Sequence, residues 1–209
     1  HNRTEAKVLA VGNLPDRRVL GLFANMLEYP HQHVTQDIRE CQELLATELP
    51  QAAELLRRFG EFAEVTSHGG MEEAYTGLFD LDSDLHPYIG YQLFGETYER
   101  SALLVGLKQL YRSGGYEPNP IELPDRISEM LRFFSVGTDE AVIREIMQEA
   151  LIPSLKTMTT DIEQDETQPT PVTHPYWQVI EALWLVLQPY AAESAPIQVT
   201  AGRGELVDG

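Results

Sequence analysis

Apolar residues recur along most of the chain at intervals of three and four positions, which is the spacing of an amphipathic α-helix. Leu103, Leu107 and Leu110 show the pattern well, and the Gly114-Gly115 pair after Ser113 predicts the end of their helix. The same periodicity predicts about seven amphipathic segments between residues 19 and 190, and evidence for strands is thin. The fold class predicted is therefore all-α, a helical bundle.

Breaks in this pattern predict where individual helices begin and end. Thr35 is expected to cap the second helix, and Pro50 to open the third. Gly69-Gly70 predicts a break in the chain, and Pro153 predicts the end of a helix or a kink in it. Pro124-Asp125 is expected in a first helical turn, where a missing N–H costs nothing and a carboxylate favours the helix dipole.

One domain is predicted over residues 1–209, with an ordered core at about 15–190. Residues 161–175 are acidic and rich in Pro and Thr, so they are expected to form a mobile acidic loop late in the chain. Residues 191–209 are expected to form a flexible tail.

Charge narrows the range of partners. The chain has 15 Lys and Arg against 33 Asp and Glu, a formal net charge of −18. Such a surface repels phosphate backbones and anionic lipids, so nucleic acid is excluded as a partner and a basic protein segment is favoured. No apolar run approaches the ~20 residues that a bilayer span needs, so no membrane insertion is expected. The single cysteine, Cys41, is compatible with the cytoplasm, where we expect this protein.

The sequence offers little support for catalysis or for metal binding. The run Asp80 to Asp84 resembles the opening of a calcium loop, but Leu85 and Tyr91 stand where an EF-hand needs Gly and Glu. Nucleotide-binding and nucleophile motifs are missing. We therefore expect no enzyme activity, no catalytic residues, no metal and no cofactor.

An ordered set of short motifs in the middle of the chain is more informative. The set runs Tyr75-Thr76-Gly77-Leu78-Phe79-Asp80, His86-Pro87-Tyr88, Gly95-Glu96, Arg100, Leu110-Tyr111 and Glu122-Leu123-Pro124-Asp125. With the earlier segment from Leu22 to Pro30, it resembles the NarJ/DmsD/TorD family of helical chaperones that mature molybdenum redox enzymes. Within that family it looks closest to the NarJ-like branch, which serves nitrate reductase and related respiratory enzymes. Where the family motif has His, this chain has Arg126.

The resemblance implies a system-specific chaperone that binds the apo catalytic (molybdopterin) subunit of a redox enzyme. The contact is expected at the client's N-terminal segment, and binding would support insertion of the molybdenum cofactor. Related roles are nitrate reductase assembly and nitrate assimilation. A monomer and a homodimer are both compatible with the sequence. The alternative function is a helix-binding adaptor or regulatory protein unrelated to molybdoenzymes.

The same motifs supply the candidate client-binding residues. They are Tyr75, Phe79, His86, Tyr88, Tyr91, Glu96, Arg100, Glu122, Pro124, Asp125 and Arg126. The aromatic members are expected near a groove for a basic amphipathic helix, with the carboxylates as acidic contacts.

Alternatives stay open at several of these positions. Tyr75 and Phe79 suit the core equally well, and Arg100 could pair with Glu96 one turn earlier. Residues 122–126 could be a structural junction between loop and helix. Arg126 could hold Glu122 or Glu129, or donate to a carbonyl of the bound peptide.

Overall fold

A computed structural model describes residues 15–79, 85–161 and 174–191. Within these ranges the chain is helical, with one isolated backbone bridge and no strand, so the all-α prediction is confirmed. The α-helices are α1 (Arg17–Met26), α2 (Val34–Leu45), α3 (Pro50–Val65), α4 (His68–Phe79), α5 (Ile89–Phe94), α6 (Tyr98–Ser113), α7 (Ile127–Val136), α8 (Glu140–Ile146), α9 (Ile152–Asp161) and α10 (Pro175–Leu187). A π-helical turn, Met147–Leu151, joins α8 to α9, and a 3₁₀ turn, Gln188–Tyr190, follows α10.

Helix α10 is the centre of the bundle. It buries side chains on most of its circumference, and it packs against α1, α3, α4 and α9. A helix that is apolar nearly all round is stable only when other helices cover it. Around this centre, α1 packs on α2 and α7, and α2 packs on α3.

An aromatic cluster fixes α3 and α4 against α10. The ring of Tyr176 lies 4.8 Å from Phe59, 5.4 Å from Tyr75 and 5.7 Å from Phe79, measured between centroids. The contacts with Tyr75 and Phe79 are edge-to-face, the arrangement that aromatic quadrupoles favour. All four rings are buried, so they form packing contacts at the heart of the core.

Some helix starts agree with the sequence and others do not. Pro50 opens α3, and Asp139 caps α8 by accepting hydrogen bonds from the N–H groups of Ala141 and Val142, each at 3.2 Å. The prediction for α2 is wrong, because Thr35 lies inside the helix and His33 precedes it.

Gly69-Gly70 does not break the chain, contrary to the sequence prediction. Both residues lie in the first turn of α4, and the break comes earlier, at Thr66-Ser67. The Ser67 hydroxyl accepts a hydrogen bond from the N–H of Gly70 at 3.1 Å. This bond satisfies one of the free donors at the start of the helix, so the turn forms despite the low helix propensity of glycine.

Pro153 does not end its helix, because the preceding turn widens. The N–H of Ile152 donates to the carbonyl of Met147, five residues back, and helical structure continues to Asp161. A proline in a regular α-helix removes one hydrogen bond and clashes with the preceding turn. A π-helical turn just before it accommodates the ring.

Some predictions lie outside the described residues. These are the calcium-like run at 80–84, most of the 161–175 loop and nearly all of the 191–209 tail. Among the residues that are described, no helix combines the length and apolar character needed to cross a membrane.

Helix α4 offers a test of the packing. A Cβ at Gly77 would meet no atom within 4 Å, whereas a Cβ at Gly70 would lie 2.8 Å from the Thr66 methyl carbon. We expect Gly77→Ala to raise the free energy of unfolding by about 0.5–1 kcal/mol, because alanine loses less backbone entropy in a helix. Gly70→Ala, the matched control, should gain nothing. Urea unfolding followed by tryptophan fluorescence measures both, and equal gains would contradict this account.

Candidate functional site

The segment before α5 and the segment before α7 are joined through their backbones. The N–H of Ile89 donates to the carbonyl of Asp125, and the N–H of Ile127 donates to the carbonyl of Pro87, each at 2.8 Å. These two bonds form an antiparallel bridge between Tyr88 and Arg126. Two of the recognised motifs, far apart in sequence, therefore meet at one place.

A buried ion pair lies beside this bridge. Arg100, in the first turn of α6, places its Nε 3.2 Å from Oδ2 of Asp125. The same oxygen accepts a hydrogen bond from the N–H of Gly90 at 3.2 Å. The Asp125 side chain is 0% exposed and that of Arg100 is 15% exposed. Breaking one side of such a pair leaves a buried charge without its partner, which is costly.

Burial raises the pKa of the Asp125 carboxyl above its ordinary value, because a low-polarity environment disfavours the charged form. The positive charge and hydrogen bond of Arg100, and the N–H of Gly90, oppose this effect. The charged form of the Asp125 carboxyl is therefore stabilised by Arg100 and Gly90.

A second ion pair lies beside the first. The Arg126 guanidinium donates through one terminal nitrogen to Glu122 and through the other to the hydroxyl of Tyr75. Glu122 also accepts from the hydroxyl of Tyr88 at 3.0 Å. Of the two carboxylates considered for Arg126, the structure pairs it with Glu122. Glu129 instead accepts from Tyr116 and Asn119.

We call Arg100, Glu122, Asp125 and Arg126 the two-arginine cluster. Aromatic rings surround it: the Arg100 guanidinium lies 5.8 Å from the ring centre of Tyr88 and 5.6 Å from that of Tyr91. Contacts of this kind between a cation and an aromatic face are attractive.

Hydrogen bonding within the cluster is incomplete. Oδ1 of Asp125 and Nε of Arg126, with the hydroxyl of nearby Ser128, are buried and have no hydrogen-bond partner among the described residues. Most buried polar atoms in proteins are paired, so three unpaired atoms within four residues mark an unusual place.

Exposed apolar side chains flank the cluster on the surface. Ile121 is 91% exposed and Leu123 is 40% exposed, and both adjoin Glu122 in the chain. On the other side, Tyr29 is 51% exposed and packs edge-to-face on Tyr75 with 5.6 Å between ring centres. We call Tyr29, Ile121 and Leu123 the apolar rim.

The structure brings most of the sequence-predicted residues to this place. Tyr88, Arg100, Glu122, Asp125 and Arg126 form one network, and His86 packs edge-to-face on Tyr91 with 4.5 Å between ring centres.

The structure fixes the burial, the pairing or the position of five of the predicted residues. Tyr75 and Phe79 are buried in the core, which is the alternative to a place in the client groove that the sequence left open. Glu96 is exposed and is not the partner of Arg100, since Asp125 takes that place. Pro124-Asp125 lies in a turn rather than in the first turn of α7, which begins at Ile127.

Three contributors escaped the sequence reasoning as site residues. Tyr29 supports Tyr75, the carbonyl of Leu27 accepts from the Tyr75 hydroxyl at 3.2 Å, and Tyr111 donates to the carbonyl of Pro124 at 2.6 Å. Tyr29 and Leu27 were inside the recognised segment from Leu22 to Pro30, and Tyr111 was inside Leu110-Tyr111. Membership in these motifs was the sequence signal that could have identified them as site residues.

The described ranges contain no group of three or more His, Cys, Asp or Glu residues placed to hold a metal ion. The Cys41 thiol is buried, and burial raises its pKa far above the ordinary value, so it stays protonated and unreactive at neutral pH.

Comparison with known proteins gives one sequence relative and one structural neighbour of note. No family model matches the chain. A Bacillus subtilis (strain 168) protein, named a probable nitrate reductase molybdenum cofactor assembly chaperone NarJ, is 27% identical over 158 residues, which are 74% of this chain and 84% of that protein. A crystal structure from Archaeoglobus fulgidus, described as a redox enzyme maturation protein, aligns with a TM-score of 0.54. It covers 87% of this chain and 98% of the other at 19% identity, so this second likeness shows the fold.

The buried pair predicts strong energetic coupling. We expect Arg100→Met or Asp125→Asn alone to lower the free energy of unfolding by about 3 kcal/mol, and the double variant to lose about 1–3 kcal/mol less than the two added together. The matched control is the exposed pair of Arg39 and Glu64, 3.0 Å apart, where Arg39→Met and Glu64→Gln should couple by less than about 1 kcal/mol. Similar coupling at both places in denaturant unfolding would refute the central role of the buried pair.

The raised pKa of Asp125 predicts a pH dependence. A carboxyl that binds its proton more tightly in the folded protein stabilises the fold less as pH rises from about 4 through the raised value. Asp125→Asn lacks this titration. The stability of Asp125→Asn relative to wild type should therefore improve as pH rises through that window. Urea unfolding at a series of pH values measures the difference, and a constant difference would contradict the shift.

Proposed function

We propose that this chain, a member of the NarJ/DmsD/TorD family of maturation chaperones, binds the apo catalytic subunit of a molybdenum-containing oxidoreductase and supports insertion of its cofactor. The observation that carries the proposal is the sequence similarity to NarJ, which extends over 84% of that protein. The maturation-protein fold supports it independently. Nitrate reductase assembly is the first role to test, since the relative is named for it.

The chaperone acts in this proposal without catalysing a reaction, and it acts in the cytoplasm. The proteins that it resembles are named for assembly and maturation, and its candidate site is an internal network of ion pairs. Both arginines of that network are engaged by carboxylates of the same chain. A network of this kind holds backbone segments in position and leaves no free charged group at its centre for proton transfer.

The client surface that we propose is the apolar rim together with the exposed edges of Tyr88, Tyr91 and His86. Exposed apolar side chains beside a rigid polar network can cover the apolar face of a helix. The net charge of −18 would draw a basic segment toward the protein, and the N-terminal segment of the client is the candidate. Glu96 is exposed and remains available as an acidic contact.

The proposal also assigns a different task to the buried residues. Asp125 and Arg126 would position the segment that carries Leu123. Asp125 ties the turn before α7 to Arg100, and Arg126 closes that turn by pairing with Glu122. Tyr75 and Phe79 would hold α4 beneath the surface.

A capture experiment tests the function. The tagged protein is co-expressed with the catalytic and iron–sulfur subunits of the nitrate reductase from the same organism, in cells that make or lack the molybdenum cofactor. We expect capture of the catalytic subunit in its apo form, and at least about tenfold less of the loaded enzyme. Equal capture of both forms, or of neither, would overturn the assignment. In that case a helix-binding adaptor becomes the better description.

A peptide-binding measurement tests the surface. Ile121→Ser with Leu123→Ser should weaken binding of the client's N-terminal peptide by at least about tenfold, because the apolar contact area is lost. The matched control is Val65→Ser with Val136→Ser, since these residues are 86% and 55% exposed and lie on other helices. Isothermal titration measures both doubles. Equal losses would show that the apolar rim is not the site.

A further inference from the structure

A polar cleft lies near the two-arginine cluster but shares none of its residues. It is lined by side chains between Asn25 and Asp37, by side chains between Tyr116 and Asn119, and by two residues of α7. Its volume is about 570 Å³, which is within the range of cavities that hold a ligand. The cleft is therefore large enough to receive a side chain of another molecule.

Negative charge predominates in the lining of this cleft. It includes one guanidinium, that of Arg132, and two imidazoles, those of His31 and His33. Against these stand four carboxylates, which belong to Glu28, Asp37, Glu117 and Glu129. With neutral imidazoles, the carboxylates outnumber the cation, so the cleft favours a positively charged ligand.

Two of the four carboxylates have partners within the protein. Glu28 lies 2.8 Å from Arg132, whose guanidinium also donates to the amide oxygen of Asn25 at 3.2 Å. Asp37 accepts from the amide nitrogen of Asn25 at 3.1 Å and lies 3.5 Å from Nε2 of His31.

The other two carboxylates, those of Glu117 and Glu129, have no ion-pair partner in residues 15–79, 85–161 or 174–191. Glu117 is exposed, whereas Glu129 is only 3% exposed. A buried carboxylate without a cation is costly, so Glu129 is the more informative of the two.

The Glu129 side chain presents one oxygen to the cleft. Its Oε2 accepts from the Tyr116 hydroxyl at 2.8 Å and from the N–H of Asn119 at 3.2 Å. Its Oε1 accepts no hydrogen bond in the described part of the chain, and it reaches the surface of the cleft, unlike Oδ1 of Asp125, which is enclosed. Glu129 therefore has an acceptor available for a ligand.

Tyr116 keeps this acceptor in place. Burial, and next its hydrogen bond to Glu129, raise the pKa of the Tyr116 hydroxyl well above its ordinary value, so the hydroxyl stays protonated and continues to donate. With Oε2 held by Tyr116 and by the backbone of Asn119, little side-chain entropy is lost when Oε1 binds a ligand.

We infer that this cleft, which we call the acidic cleft, binds a guanidinium group through Glu129 Oε1 and the Glu117 carboxylate. A guanidinium has five N–H donors in one plane and can bond to several acceptors at once, whereas an ammonium acts as a compact point charge. The lining already holds one guanidinium in this way, since Arg132 contacts both Glu28 and Asn25.

The arginine that enters the acidic cleft belongs to the client segment, and this part of the inference rests on the proposed function. The lining leads directly into the apolar rim on both sides. Glu28 precedes Tyr29 in the chain, and Oδ1 of Asn119 accepts from the N–H of Ile121 at 3.2 Å. A basic segment whose apolar face covers the rim therefore lies beside the cleft, where an arginine can enter.

Nuclear magnetic resonance tests the cleft without any client. The probe is N-acetyl-arginine methylamide, added to the ¹⁵N-labelled protein, and the matching citrulline and lysine compounds are the comparisons. We expect the arginine compound to shift the amide signals of Asn119 and Glu129 in a saturable way at millimolar concentration. The lysine compound should bind at least about threefold more weakly, and neutral citrulline should cause no saturable shift.

Two variants remove the proposed acceptors. Glu129→Gln keeps an oxygen that can accept from Tyr116 but loses the charge, so it should raise the dissociation constant of the arginine compound at least about tenfold. Glu117→Lys changes an exposed residue and should have an effect of similar size with stability unchanged. The controls are Glu145→Gln and Glu145→Lys, which make the same charge changes at an exposed residue of α8 and should bind as wild type.

Urea unfolding accompanies these measurements. If Glu129→Gln lowers stability so far that the protein does not fold, Glu117→Lys alone decides between the outcomes.

Isothermal titration with the client's N-terminal peptide tests the source of the guanidinium. Each arginine of the peptide is replaced in turn by citrulline. One replacement should weaken binding to the wild-type protein at least about tenfold, and binding to Glu129→Gln by less than about twofold, because that protein has already lost the contact.

The cleft and the client can fail separately. Absence of saturable binding of the arginine compound, equal binding of the lysine compound, or wild-type binding by both cleft variants would overturn the guanidinium site. A client segment without arginine, or one in which no citrulline replacement depends on Glu129, would overturn the client as its source. If the catalytic subunit is not captured at all while the arginine compound still binds in a Glu129-dependent way, the chaperone assignment fails and the acidic cleft stands.

Discussion

The ion pair between Arg100 and Asp125 is the interaction on which the middle of this protein depends. It joins the first turn of α6 to the turn before α7, and the Asp125 side chain is fully buried. The carboxylate also accepts from the backbone of Gly90 in α5, so one side chain holds three segments. Near the other end of α6, the Tyr111 hydroxyl donates to the carbonyl of Pro124 and the Tyr111 ring packs on Phe133 of α7, so α6 is held against α7 at two places.

A structural network of this kind suits a protein that binds another chain. Its charges are already compensated, so binding does not require them to find new partners. The residues left for a client are apolar or half-buried aromatic ones around the network, and a rigid framework keeps them in place at little entropic cost. In the proposed function, affinity would come from the apolar rim, and charge at a distance would influence the rate of encounter.

The sequence predicted the positions of the helices well and the contacts between distant residues poorly. Apolar spacing located α6 and α10 because buried and half-buried apolar side chains follow one another along each helix. Gly69-Gly70 misled the prediction because the Ser67 hydroxyl compensates for their low helix propensity. Of the two outcomes expected at Pro153, the structure excludes the end of the helix, because a π-helical turn accommodates the ring. Such compensation depends on neighbouring geometry that a propensity scale does not contain.

The candidate site shows the same division. The family motifs identified most of its members, but spacing alone suggested that Arg100 pairs with Glu96, since those residues lie one turn apart. The actual partner is 25 residues away in sequence. Long-range pairing of this kind follows from how α5, α6 and α7 pack, which neither periodicity nor composition contains. Tyr29 was missed as a site residue for the same reason, because its role is set by contact with Tyr75 across the bundle.

The bridge between Tyr88 and Arg126 has a consequence for how this fold can change over time. It brings together the two ends of residues 89–125, which contain α5, α6 and the turn that follows. A segment whose ends are held side by side can be lengthened, shortened or exchanged at little cost in loop-closure entropy. The bundle around α10 can then be retained while the sequence of residues 89–125 diverges. Related chains could in this way acquire new associations by altering one helix.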